Sequence, residues 1–112
     1  MKDKDTKILH KILEYVDDTA NYINELDFDA FLLDKKTISA CSFAIMQIGE
    51  LAKEFSNDIQ TQNPAIPWNG IKGMRNRIVH EYKNIDFTVL WDTVKTSLPI
   101  LKTLLFELLK DQ

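Results

Sequence analysis

Ile8-Leu9-His10-Lys11-Ile12-Leu13-Glu14-Tyr15-Val16 is the stretch that decides the fold class. Its apolar residues fall three and four positions apart, and Ala20, Ile23 and Leu26 continue the rhythm. That spacing puts one apolar stripe along an α-helix and predicts a helix from Asp5 or Thr6 to near Leu26. The rhythm returns at Ile38, Cys41, Ile45, Ile48, Ala52 and Phe55, with Asp34 as the cap of that helix. Gly49 lies near the same face, where a missing side chain lets another helix approach closely. A third stripe, Trp68, Ile71, Met74 and Ile78, follows Pro67, whose missing N–H suits a first helical turn. This third helix is expected to end near His80 to Tyr82. Phe87, Leu90, Trp91, Val94, Leu98, Leu101, Leu105 and Leu108 define a last long helix, capped by Asp86 and kinked at Pro99. Phe28, Phe31, Leu32 and Leu33 read as a short connector or extra turn, and Ser56 to Pro67 as a polar loop. No segment alternates as a strand would. The expected fold is all-α, an up-and-down bundle of four main helices in one domain over residues 1–112.

Composition narrows the class. The chain has 112 residues, 45% of them hydrophobic, which is enough to bury a core and too apolar for a disordered tail. A single cysteine, Cys41, excludes an internal disulfide and fits a reducing cytoplasm. The opening Met1-Lys2-Asp3-Lys4-Asp5 is not the start of a signal peptide. The apolar run from Ile100 to Leu109 is broken by Lys102 and Glu107, so no membrane span is expected. A net charge of −3 argues against indiscriminate binding of nucleic acid. Between Lys72 and Lys83, however, four cations (Lys72, Arg75, Arg77, Lys83) face one acid, Glu81. An acidic body with one basic strip suits a localised anionic ligand, although a solvated helix face gives the same pattern.

The chemistry concentrates in Gly73-Met74-Arg75-Asn76-Arg77-Ile78-Val79-His80-Glu81-Tyr82. Arg75 offers a fixed cation with several donors, and His80 can move a proton near neutral pH. Together they meet the needs of phosphodiester cleavage without a metal. On a continuous helix Asn76 and His80 share one face, away from the apolar stripe. Arg75 and His80 lie about 140° apart, so one helix brings them together poorly. A second copy related by a two-fold axis would line one cleft with both pairs, and Gly73 would admit the partner backbone. A His-x-Tyr near a helix end also serves simply as a cap, and Tyr82 also suits core packing with a wet hydroxyl. Cys41 reads as inert packing and His10 as a surface residue. Glu14, Asp17 and Asp18 lack partners for a metal site, and no phosphate loop, nucleophile elbow or dinucleotide fingerprint is present. No cofactor is expected.

Arg75-x4-His80-x-Tyr82 resembles the signature of the HEPN superfamily, and in particular of HepT-like toxins. Ile48-Gly49-Glu50-Leu51-Ala52-Lys53 is similar to a second-helix string of that family, with Leu51 where alanine is usual. Pro67-Trp68 leading into Ile71-Lys72-Gly73-Met74, then Ile85-Asp86, Leu90-Trp91 and Leu98-Pro99, extend the likeness over most of the chain. The resemblance implies a homodimer with a metal-independent endoribonuclease site at its interface, acting as the cytoplasmic toxin of a type VII toxin–antitoxin system. Arg75 and His80 correspond to the catalytic pair and Asn76 to a supporting polar residue. The implied antitoxin is a minimal nucleotidyltransferase that transfers AMP onto Tyr82. Lys72, Arg77 and Lys83 would guide the RNA backbone. Two other roles are compatible with the residues: a catalytically weak, nucleotide-binding helical partner of a nucleotidyltransferase, and a dimeric scaffold in which the motif is structural.

Overall fold

A computed structural model describes residues 1–79 and 84–111. Eight α-helices and one π-helical turn follow one another among those residues: α1 (Asp3–Tyr22), α2 (Phe28–Leu33), α3 (Lys35–Ala52), α4 (Asn57–Gln62), α5 (Trp68–Lys72), α6 (Met74–Ile78), α7 (Phe87–Asp92), the π turn (Thr93–Ser97) and α8 (Leu98–Lys110). The fold is all-α. The only strand-like feature among the described residues is an isolated antiparallel bridge between Val79 and Ile85.

The apolar stripes form the core. Leu9, Ile12 and Val16 of α1, Cys41, Ile45 and Ile48 of α3, and Leu98 and Leu105 of α8 are all buried. Helices α1 and α3 run antiparallel, because Tyr15 meets Phe43 edge-on while Asp5 at the start of α1 reaches Ser56 beyond the end of α3. The Asp5 carboxylate is buried and accepts from both the Ser56 amide (2.9 Å) and its hydroxyl (2.6 Å). Phe31 of α2 is buried against Trp91, ring centroids 5.0 Å apart, which seats the short helix over α7.

Local chemistry sets the helix starts. Asp34 Oδ1 accepts the Thr37 amide (3.0 Å), and Asp86 Oδ1 accepts the Val89 amide (3.0 Å), as the sequence predicts for both caps. The Thr37 hydrogen bonds also hold the Asp34 carboxyl below its ordinary range.

Three expectations need correction. The segment from Ser56 to Pro67 is not all loop: Ser56 Oγ accepts the Ile59 amide and starts α4, which buries Ile59. The third helix is broken at Gly73 into α5 and α6, and it ends at Ile78 rather than near His80 to Tyr82. Val79 is extended (φ −110°, ψ 117°), because Ile85 pairs with it and the Asp86 amide donates to the Ile78 carbonyl (2.7 Å). Pro99 is accommodated by the preceding π turn, in which the Leu98 amide donates to the Thr93 carbonyl five residues back. Proline supplies no N–H to the carbonyl four residues before it, and a wider turn relieves the ring's clash with that carbonyl.

Candidate active site

Helix α6 carries Arg75 and Asn76 against the C-terminal half of α3. Met46, Gly49, Glu50 and Lys53 from α3 and its end, with Lys72, Arg75 and Asn76, line an open cleft of about 330 Å³. Gly49 makes this approach possible. A Cβ there would stand 3.4 Å from the Lys72 carbonyl oxygen and 3.5 Å from that of Ile71, so α5 rests directly on the α3 backbone. The close approach expected at Gly49 is therefore made by this chain's own α5.

Charge in the cleft is unevenly committed. Lys53 Nζ lies 3.0 Å from Glu50 Oε1, and Lys72 Nζ donates to the neutral Gln60 amide oxygen at 2.7 Å. Arg75 is half-buried, and among the described residues no carboxylate pairs with it. A guanidinium with no counter-ion among the described residues, beside an exposed amide, Asn76, has the donors to receive an oxyanion.

The structure brings together only part of the expected set. Arg75, Asn76 and Lys72 share the cleft, but Arg77 does not. Arg77 lines a separate, mostly apolar cavity with Pro67, Ile71, Met74, Ile100 and Leu101. Side chains two positions apart on a helix point about 200° apart, so the basic strip is divided between two walls. His80, Tyr82 and Lys83 lie outside the described residues. The helix stops at Ile78, and the expected stacking of Asn76 and His80 lies outside the described residues. Gly73 serves as the break between α5 and α6, and the place of its missing Cβ is 3.3 Å from this chain's own Asn69 carbonyl.

Sequence reasoning left Met46, Glu50 and Lys53 out of the site. Glu50 and Lys53 stand one and four positions after Gly49. The residue that admits α5 therefore also marks the side of α3 that meets the cleft. Elsewhere, Cys41 is buried, and desolvation, with Asp34 adding to it, raises its thiol pKa to about 11. That agrees with inert packing. Glu14 pairs with Lys11 and Asp17 with Lys102. No helix among the described residues is long and apolar enough to cross a membrane.

Comparison with known proteins identifies the family. The family model described as ribonuclease HepT-like matches residues 12–108. A Thermococcus cleftensis protein named "Probable ribonuclease HepT" is 38% identical over 102 residues, covering 91% of this chain and 93% of that protein. Two Methanocaldococcus jannaschii proteins, each named "Putative RNase", are 32% identical over 112 residues, covering 99% of this chain and 97% and 93% of theirs. No solved structure gives a significant match. A family model spanning most of the chain, with full-length relatives above 30% identity, places the protein: it belongs to the ribonuclease HepT-like family.

Proposed function

We propose that this chain is a metal-independent endoribonuclease, and that it acts as the toxin of a type VII toxin–antitoxin pair. One observation carries the reading. Arg75 stands in an open cleft with no carboxylate partner among the described residues, on a helix that ends two positions before His80 in the sequence. Its role is to neutralise the charge that builds on the phosphoryl oxygens as the phosphodiester is attacked. His80 takes the proton from a ribose 2′-hydroxyl. The 2′-oxygen bonds to phosphorus, the P–O5′ bond breaks, and a proton passes to the departing 5′-oxygen. The second protomer's histidine supplies that proton. The products are a 2′,3′-cyclic phosphate and a 5′-hydroxyl, and DNA, lacking the 2′-hydroxyl, is left uncut. Asn76 orients the phosphate or the imidazole.

The composite site requires a homodimer. Two apolar side chains on the outer face of α3, Phe43 (53% exposed) and Met46 (39% exposed), support it. Met46 also lines the cleft, so a partner covering this face would bring its own cleft to the same place. Neutralisation by a minimal nucleotidyltransferase that attaches AMP to Tyr82 completes the reading. The added phosphate would compete for Arg75, and the adenosine would obstruct the RNA path.

The test is incubation of purified protein with defined RNA, with and without chelator, followed by mapping of the ends. Cyclic phosphate termini that persist in chelator, and disappear in both Arg75→Ala and His80→Ala, are the expected result. Wild-type rates in both variants, or strict dependence on a divalent ion, would refute the mechanism.

A further inference from the structure

The cleft differs from the basic strip in one respect that bears on substrate binding. It contains a cation from α3, Lys53, and excludes Arg77. We propose that Lys53 is a substrate-binding residue, holding a backbone phosphate of single-stranded RNA alongside Arg75 and Lys72, and that Arg77 takes no part. This rests on the reading of the cleft as the RNA site.

Three features of the structure support it. Lys53 follows the last residue of α3, where the chain leaves the helix, so its ammonium reaches the cleft from the wall opposite α6. Its present partner is Glu50, and both side chains are more than half exposed (55% and 61%). An ion pair this wet is weak, and a phosphate can displace the carboxylate. Between the two walls lies Gly49, which lets α5 sit against the α3 backbone and so brings Lys72 and Arg75 into the same cleft as Lys53. Arg77, in contrast, faces Met74 and Leu101 in a cavity backed by α8. A phosphate seated at Arg75 is on the wrong side of α6 to meet it. The chain thus grips RNA between two helices rather than along one.

The measurement is the salt dependence of binding to a labelled single-stranded 2′-O-methyl RNA oligonucleotide, which cannot be cut because the attacking hydroxyl is blocked. Each phosphate contact contributes about 0.7 to the slope of log affinity against log salt on single strands. Lys53→Gln should reduce the slope by about 0.7 per site, and Lys53→Arg should restore it. Glu50→Gln, which frees Lys53, should tighten binding. Arg77→Ala should leave the slope unchanged. If Arg75→Ala lowers the slope while Lys53→Gln does not, or if Arg77→Ala lowers it as Lys53→Gln does, the proposal is overturned and the RNA site stands. If Arg75→Ala also leaves the slope unchanged, the cleft is not the RNA site and both readings fall.

Discussion

Gly49 allows a prediction whose sign changes with side-chain size. Alanine there places one methyl 3.4 and 3.5 Å from the Lys72 and Ile71 carbonyl oxygens, which is ordinary contact and displaces nothing. Replacing glycine by alanine inside α3 removes the entropic penalty of glycine in a helix, roughly 1 kcal/mol. Gly49→Ala should therefore stabilise the chain by about 0.5–1 kcal/mol, or roughly 4 °C in melting temperature. Valine adds two methyls beyond that first carbon, and the carbonyls they meet belong to a helix backbone that cannot step aside cheaply. Overpacking of this kind costs about 1–3 kcal/mol, so Gly49→Val should be destabilised despite its better helix propensity than glycine. Urea denaturation of the three proteins, followed by circular dichroism, gives the free energies. Equal destabilisation by alanine and valine would show that the gap is narrower than 3.4 Å. A neutral valine would show that α5 is not pressed against α3, and the account of how the cleft is formed would be lost.

Three further expectations rest on other parts of the molecule. Phe43→Glu and Met46→Glu should yield monomers in sedimentation and lose RNA cleavage together with assembly. Dimeric, active variants would place the interface elsewhere. The buried Cys41 thiol has its pKa raised from 9.0 to about 11, so the unfolded chain releases that proton first as pH rises. This contribution is complete below pH 9 and falls away towards pH 11. The difference in unfolding free energy between wild type and Cys41→Ala should accordingly shrink over that window, and a difference independent of pH would contradict the burial argument. Tyr82→Phe should keep nuclease activity yet gain no AMP-sized mass when incubated with the nucleotidyltransferase antitoxin and ATP. A mass gain equal to wild type would remove Tyr82 as the acceptor.

The four apolar stripes were legible in sequence because burial repeats with the helix period, and Asp34 and Asp86 because a cap acts within three residues. Helix α4 was hidden although its Ser56 cap is just as local, because its six residues bury only Ile59 and so show no apolar period. The end of α6 was hidden for another reason. Ile78 and Val79 could continue a helix, and it is Ile85 and Asp86, returning across the chain, that draw Val79 out of it. The division of the basic strip could have been read from angles alone, since Arg75 and Arg77 diverge by about 200° on a helix. Counting charge along the sequence concealed it. The place of Lys53 and Glu50 in the cleft depends on which neighbour leans on Gly49, and only the fold supplies that.

The π turn at Thr93–Ser97 has a bearing on how this helix tolerates change in length. It holds one residue more than an α-turn, so the leucines of α8 lag those of α7 by about 100°, one residue's worth of rotation. Deleting a residue inside the turn would tighten it towards an ordinary helical turn and leave Leu90 and Leu98 on their present sides of the helix. Adding one has no such slack to absorb it: every leucine from Leu98 to Leu108 would rotate off the core. The last helix should thus accept a one-residue deletion at this point and reject an insertion, an asymmetry that relatives differing in length here would be expected to display.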